Sequence, residues 1–106
     1  MDDCIFCKIV TGETDTNVEM ENDRVVLIKE ARPLAPVHYL IIPKDHIKDV
    51  TELETYVWED VRKMITNIST KLKLDGFRLT TYAGSAELVN HLSFHLLSGV
   101  NDIEKK

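Results

Sequence analysis

Short apolar runs bounded by turn residues predict strands in the first half of the chain. Arg24 to Glu30 is apolar and β-branched with one polar break, which is typical of a strand. Val18 to Met20 predicts a shorter strand before it, and His38 to Ile42 predicts another that Pro43 closes. Residues 31–36 hold two prolines, which lack backbone donors and bias their predecessors toward extended geometry, so we expect irregular structure there.

Two other segments repeat their apolar positions at helical spacing. Residues 4–10 form a short apolar piece that stops at Thr11-Gly12, which predicts one or two helical turns ended by glycine. Thr51 to about Leu72 predicts one long amphipathic helix, with Thr51 and Glu54 as a capping box and Asp75-Gly76 as its end. Its apolar positions are Leu53, Val57, Val61, Met64, Ile65, Ile68 and Leu72.

The last part of the chain returns to a period of two. Phe77 to Tyr82 and His91 to Leu97 alternate and predict two further strands. One face of the second strand then carries two imidazoles and a hydroxyl, from His91, Ser93 and His95. The element order predicts an α+β fold in which an antiparallel sheet packs against helix.

Composition narrows the class of protein without naming a function. The 106 residues, 43% of them hydrophobic, predict a single domain over 1–106 with a short tail at 100–106, able to fold without disulfides. Collagen-like, disordered and membrane-spanning classes are excluded, because the composition is ordinary and no apolar run is long enough. The net charge of -5 argues against a nucleic-acid partner. The N-terminus shows no targeting segment, so we expect a cytoplasmic location.

The two cysteines and four histidines are the candidate metal ligands. Cys4 and Cys7 are spaced C-x-x-C, which in a reducing compartment predicts thiols or metal ligands rather than a disulfide. A closed zinc site needs four nitrogen or sulfur ligands, commonly two Cys and two His. Spacing leaves three readings open: a zinc site, buried structural cysteines, or a redox pair without the βαβ setting that such a pair requires.

The chain resembles the histidine triad (HIT) family, in its Hint-like branch of nucleotide-binding phosphoramidases and hydrolases. The resemblance runs from about Cys4 to Gly99, and all four histidines stand where the family places histidine. It implies a five-stranded antiparallel sheet with one long helix and a short N-terminal helix. Its carriers are Cys4 to Ile9, Gly12-Glu13, Asp23 to Val26, Pro33 to His38, Ile41 to Ile47 and His91 to Gly99.

The resemblance also implies a structural zinc ion. Family members that keep the paired cysteines bind zinc through both of them, through the histidine of the Pro-Lys-x-His segment and through the first histidine of the triad. Carried onto this sequence, the ligands are Cys4, Cys7, His46 and His91. Such an ion ties the N-terminal segment to the sheet and has no open position for chemistry.

The catalytic strand departs from the family pattern at its central position. The family's nucleophile is a histidine that forms a nucleotidyl-histidine intermediate, and Ser93 stands at that position here. His95 and His38 are the other catalytic candidates. A serine hydroxyl needs a base within hydrogen-bond reach, and the parallel side chain of His95 is poorly placed to supply one. We therefore expect the covalent chemistry to be lost.

The positions that contact the nucleoside in the family match this sequence better than the catalytic strand does. Glu30 stands where the family's aspartate holds the ribose hydroxyls, and a carboxylate can accept from both. The loop before the last strand is shorter than in the family, lacks its glutamine and adds Glu87, whose charge opposes a phosphate if it points inward. The apolar residues of this set are equally compatible with a simple core role. The candidates are Ile5, Phe6, Ile9, Ile28, Glu30, Ala31, Ser85 and Asn90.

Three functions remain open from the sequence. The first is a zinc protein that binds a nucleotide or nucleoside monophosphate such as AMP or GMP without covalent hydrolysis. The second is an active phosphoramidase or hydrolase with an altered mechanism, and the third is a scaffold or dimerisation module. The resemblance implies a homodimer built through the long helix and a sheet edge.

Overall fold

A five-stranded antiparallel sheet organises residues 4–99, the part of the chain that the computed structural model describes. The strands stand in the order β1-β2-β3-β5-β4, so the last strand lies in the interior of the sheet beside β3. The α+β fold predicted from the sequence is thereby confirmed, and the predicted tail at 100–106 lies outside the described residues. The strands are β1 Val18–Glu21, β2 Val25–Lys29, β3 Val37–Pro43, β4 Arg78–Thr80 and β5 Phe94–Ser98.

Two α-helices within residues 4–99 accompany the sheet. The first, α1, spans Ile5–Val10, and its N-cap Cys4 accepts a hydrogen bond from the Cys7 amide through its sulfur. Thr11 is its C-cap, and Gly12 takes the positive φ of 79° that the sequence predicts for a glycine stop. The second, α2, spans Thr55–Lys71. No helix within 4–99 is long and apolar enough to cross a membrane.

The two faces of the sheet bury different cores. Val25 and Leu27 of β2 pack with Val61 and Met64 of α2, in the larger cluster of buried side chains. Their neighbours Val26 and Ile28 pack on the opposite face with α1. Because both faces are covered, β2 reads as a continuous apolar run instead of an alternating one.

The predicted capping box at Thr51 and Glu54 is wrong. Val50–Glu52 forms a separate 3₁₀ turn, and the carboxylate of Asp49 caps it by accepting from the Thr51 amide at 2.9 Å. Leu53 is then extended, and α2 begins only at Thr55. The buried Asp49 side chain supplies a stronger local acceptor than the Thr51 hydroxyl, so the turn closes early.

The long helix also ends before the predicted stop at Asp75-Gly76. Lys73 adopts a positive φ of 53°, which terminates the helix without a glycine. The Lys73 amide donates to the Thr70 carbonyl at 3.1 Å and the Leu74 amide to the Ser69 carbonyl at 3.0 Å. These two bonds form a Schellman motif, which places the end of α2 at Lys71.

The last two strands are shorter than predicted. The strand expected over Phe77 to Tyr82 pairs only over Arg78–Thr80. The strand expected over His91 to Leu97 begins at Phe94. Backbone groups before it bond elsewhere, because the His91 amide donates to the Val89 carbonyl and the Leu92 amide to the Ile47 carbonyl.

Candidate functional site

Four side chains from three distant segments meet on the α1 side of the sheet. Cys4 and Cys7 come from the first turn of α1, His46 follows β3, and His91 precedes β5. Their ligand atoms all lie within 4.8 Å of one another. Cys4 Sγ is 3.2 Å from His91 Nδ1, and Cys7 Sγ is 3.2 Å from His46 Nδ1. The group is a possible metal site and includes all four ligands that the resemblance implies.

Hydrogen bonding around His91 fits this group for a metal ion. The Nε2 atom lies 2.9 Å from the carbonyl oxygen of Pro43, so Nε2 bears the hydrogen and donates it. Nδ1 is then left with a lone pair that faces both cysteine sulfurs. Metal-binding histidines almost always donate their second ring N–H in this way. Sulfur and nitrogen ligands of tetrahedral zinc are about 3.6 Å apart, close to the spacings found here.

The Cys7 thiol resists ionisation in the absence of a cation. Burial, together with the hydrogen bond and charge of the neighbouring Cys4, raises the pKa of Cys7 to about 11. A divalent cation reverses this effect, because it stabilises two adjacent thiolates. The donor set therefore fits a thiophilic ion such as zinc better than it fits a pair of free thiolates.

A cavity of about 690 Å³ adjoins the cysteine and histidine group. Phe6 and Ile9 of α1 form part of its apolar lining, and His91 contributes to both the cavity and the possible metal site. The Phe6 ring stands edge-on to the His91 ring, with centroids 5.7 Å apart. The volume falls within the usual range for small-molecule sites.

His38 and His95 form a hydrogen-bonded pair in the wall of this cavity. They lie on adjacent strands β3 and β5, on the face that carries α1. His38 Nε2 is 2.9 Å from His95 Nδ1. On its other side, His38 Nδ1 accepts the backbone N–H of Leu34 at 3.1 Å. Burial lowers the pKa of both rings, which favours their neutral forms.

The Leu34 amide determines which atom donates in each hydrogen bond of the series Leu34–His38–His95. Because His38 Nδ1 accepts, the neutral His38 ring carries its hydrogen on Nε2 and donates it to His95 Nδ1. His95 must then carry its own hydrogen on Nε2. Its Nε2 atom is consequently a donor on a side chain that lines the cavity, and it has no free lone pair with which to attack phosphorus.

Ser93 lines the same cavity, two residues before His95. Its carbonyl accepts a hydrogen bond from the Thr81 hydroxyl at 2.7 Å. Within residues 4–99, no hydrogen bond joins the Ser93 hydroxyl to a histidine. The alternation predicted from the sequence holds for the lining, since His91, Ser93 and His95 all face the cavity while Phe94 packs in the opposite core.

The structure brings some of the nucleotide-binding candidates together and separates others. Phe6, Ile9, Ile28, Glu30 and Ala31 line the cavity. Ile5, Ser85 and Asn90 are outside the lining, and Ile5 is 47% exposed. Sequence reasoning missed Arg78, Thr80 and Tyr82, although the alternation of the predicted strand over 77–82 places these three on one face.

Glu30 belongs to the histidine pair as well as to the cavity. A carboxylate oxygen of Glu30 and ring nitrogens of His38 and His95 all lie within 4.8 Å of one another. Glu30 also accepts the Arg32 amide at 3.2 Å. In contrast to His91, His38 uses its second nitrogen as an acceptor, which is the wrong arrangement for a metal ligand. This second group is therefore a hydrogen-bonded chain beside a carboxylate, and its order disfavours metal binding.

Comparisons with known proteins agree with the fold. A family model described as scavenger mRNA decapping enzyme C-term binding matches residues 3–105. An uncharacterised HIT-like protein of Saccharolobus solfataricus is 34% identical over 100 residues, which cover 89% of this chain and 72% of that protein. An uncharacterised HIT-like protein of Helicobacter pylori is 34% identical over 99 residues, which cover 90% of this chain and 95% of the relative.

Solved structures resemble the whole described fold. A HIT family hydrolase from Clostridium thermocellum is 38% identical, with a TM-score of 0.90 over 99% of this chain and 97% of that chain. A histidine triad protein from Clostridium difficile is 32% identical, with a TM-score of 0.88 over 100% of this chain and 98% of that chain.

Proposed function

Because the chain belongs to the histidine triad (HIT) family, we propose that it binds a purine nucleotide or nucleoside beside a structural zinc ion, without forming a nucleotidyl-histidine intermediate. The observation that carries the proposal is the ordered chain from Leu34 through His38 to His95, in the wall of a cavity suited to a small molecule. It leaves His95 with a donor on its Nε2 atom, so His95 cannot stand in for the nucleophilic histidine that Ser93 replaces.

Zinc is the proposed occupant of the cysteine and histidine group. Two thiolates and two imidazoles satisfy a tetrahedral ion and neutralise its charge. The ion supplies structure, because it joins α1 to the segments that carry His46 and His91. Thiolates that hold zinc must stay reduced, so the proposal includes a cytoplasmic location.

The proposed ligand position follows from the lining of the cavity. Phe6, Ile9 and Ile28 offer an apolar surface to a base, and Glu30 offers acceptors to sugar hydroxyls. Ser93 stands at the family's nucleophile position by resemblance, and no base is hydrogen-bonded to it within the described residues. These features support binding without covalent group transfer.

Calorimetry and a turnover assay test the proposal together. We expect heat of binding with adenosine or AMP in zinc-replete buffer, and background turnover of an adenosine phosphoramidate. The Ser93→His variant should stay well below the rate of an active family hydrolase, because the neighbouring loop also differs. Turnover by the wild type that disappears in Ser93→Ala would establish an altered enzyme instead.

A homodimer is the proposed assembly. The strand β4 is a three-residue edge of the sheet, and Phe77 beside it is 45% exposed. On α2, Tyr56 is 54% exposed. Sedimentation velocity should give a mass twice that of the chain, and a Phe77→Asp variant should shift it toward the monomer. Asp75→Asn, a nearby exposed change, is the control.

A further inference from the structure

Resting on the proposed function, we infer that zinc and the ligand of the cavity bind cooperatively, because α1 supplies side chains to both sites. Cys4 and Cys7, in the first turn of this helix, belong to the possible metal site. Phe6 and Ile9 of the same helix line the cavity. A helix of six residues moves as one unit, so an ion held by the cysteines also fixes a wall of the cavity.

The attachment of α1 to the rest of the protein is slight without an ion. Of its six residues, only Ile9 has a buried side chain. Within residues 4–99, the hydrogen bonds that join residues 4–13 to other parts of the chain all run through the sulfurs of Cys4 and Cys7. Neutral thiols form weak hydrogen bonds, whereas the bonds between zinc and thiolates are strong. The position of α1 therefore depends on whether the metal site is filled.

The two histidines of the metal site are held independently of α1. His91 Nε2 donates to the Pro43 carbonyl at 2.9 Å. One residue further along, the Leu92 amide donates to the Ile47 carbonyl at 2.6 Å. This bond joins the segments that carry His91 and His46, and the Leu92 side chain is buried in the larger cluster. Loss of the ion should therefore release α1 and leave the histidine half of the site in place.

The two sites are in direct contact at Phe6 and His91. Both side chains line the cavity, and their ring centroids are 5.7 Å apart. Nδ1 of His91 also faces both cysteine sulfurs. A ligand that packs on Phe6 therefore stabilises the position of α1 that brings the sulfurs to His91. Because linkage is reciprocal, the ligand must raise the affinity for zinc by the same factor by which zinc raises the affinity for the ligand.

Calorimetric titration with adenosine, which has no phosphate to chelate zinc, measures the coupling. We expect the zinc-loaded protein to bind adenosine at least about tenfold more tightly than protein that a chelator has stripped of metal. In competition with a chromogenic chelator, saturating adenosine should raise the zinc affinity of the wild type by the same factor. Phe6→Ala should reduce both effects, because α1 then loses a contact with the ligand. Lys8→Ala, on the same helix but outside both sites, should retain them.

The outcomes separate the inference from the proposed function. Equal dissociation constants for the zinc-loaded and the stripped protein overturn the coupling and leave ligand binding standing. If the zinc-loaded protein gives heat with AMP alone, the same pair of titrations with AMP decides. Heat from neither compound at millimolar concentration overturns the proposed function and the inference with it.

The zinc competition decides if circular dichroism shows that the stripped protein unfolds. A zinc affinity that adenosine leaves unchanged then overturns the coupling. An increase that persists undiminished in Phe6→Ala overturns the role of α1, because global folding would then link the two sites.

Discussion

At His91, the two ring nitrogens have separate roles. Nε2 donates to the Pro43 carbonyl, which leaves Nδ1 facing the sulfurs of Cys4 and Cys7. At His38 the arrangement is reversed, because a backbone N–H occupies Nδ1. One backbone partner in each group, the Pro43 carbonyl or the Leu34 amide, thus distinguishes a possible metal site from a pair of hydrogen-bonded histidines.

Removing one sulfur ligand tests the metal site. The Cys4→Ser variant should lose the zinc that wild type carries at about one equivalent per chain, because a hydroxyl is a poor ligand for this ion. It should also unfold at a lower temperature, since metal binding contributes to folding free energy. Elemental analysis and thermal unfolding measure the two effects. Lys8→Ala, on the same helix, is the control and should keep the metal.

The buried histidine pair predicts a pH dependence of stability. Burial lowers the pKa of His38 and His95 below the ordinary value of 6.5, although the charge of Glu30 opposes the shift. The unfolded chain therefore takes up protons at a higher pH than the folded protein. The free energy of unfolding should fall as pH drops below about 6.5, and the decline should stop once the folded rings are also protonated.

Urea unfolding between about pH 8 and pH 5 measures this slope. The double variant His38→Gln/His95→Gln should show a shallower decline than wild type, because it lacks both groups. The zinc ligands are common to both proteins, so acid release of metal cancels in the comparison. An unchanged slope would show that other groups govern the acid response.

Part of this residue-level picture could be predicted from the sequence. The alternation from His91 to His95 identifies the side chains that line the cavity, because successive residues of extended backbone point to opposite faces. The Leu34 amide could not be foreseen, since its contact depends on how an irregular proline-rich segment returns to β3. Neither could the reach of Glu30 toward the histidine pair.

Among the elements, α2 shows where local rules misplace a boundary. The periodicity predicts the helix itself, but Asp49 closes a separate 3₁₀ turn before it, so α2 begins only at Thr55, and Lys73 ends it three residues before Gly76. Any residue can occupy a left-handed position if the bonds around it are strong enough, so a lysine there carries no recognisable signal. The predicted ends of the last two strands were wrong for a related reason. A strand ends where its neighbour no longer pairs with it, and composition does not show that point.

The strained end of α2 gives a stability prediction. Lys73→Gly should raise the free energy of unfolding by about 1 kcal/mol, because glycine adopts φ near 53° without a Cβ clash. Lys71→Gly is the matched control and should lower it by up to about 1 kcal/mol, since that residue lies in regular helix. Chemical denaturation measures both. Destabilisation by Lys73→Gly would mean that the lysine side chain contributes more than its backbone costs.

At the scale of the whole molecule, the two faces of the sheet are covered by helices of different length, α2 on one face and α1 on the other. The α2 face has a continuous core that includes Val61, Met64 and Ile68. The α1 face has a smaller cluster around Ile9, Val26 and Leu40, next to the cavity. A helix of six residues is too short to be stable without tertiary support, so α1 depends on its packing against the sheet and, with the proposed zinc bound, on its cysteine ligands.

This asymmetry predicts an uneven response to chelation. Removing the metal should accelerate amide exchange over residues 5–12, because α1 loses its attachment to His46 and His91. Residues 57–68 of α2 should keep their protection. Hydrogen exchange read by mass spectrometry distinguishes this local opening from global unfolding, in which both regions would exchange together.

The hydrogen bond from the Leu34 amide determines which substitutions at position 34 can alter the cavity. Leu34 itself is 74% exposed, and the hydrogen bond to His38 comes from its backbone. Nineteen of the twenty standard amino acids supply that N–H, and only proline lacks it. In a saturation library, position 34 should therefore tolerate large, small and charged side chains, while proline should free His38 to adopt the other tautomer. The side chain at position 34 can therefore vary while the tautomer of His38 stays fixed, because the tautomer depends on the backbone path and not on the side chain.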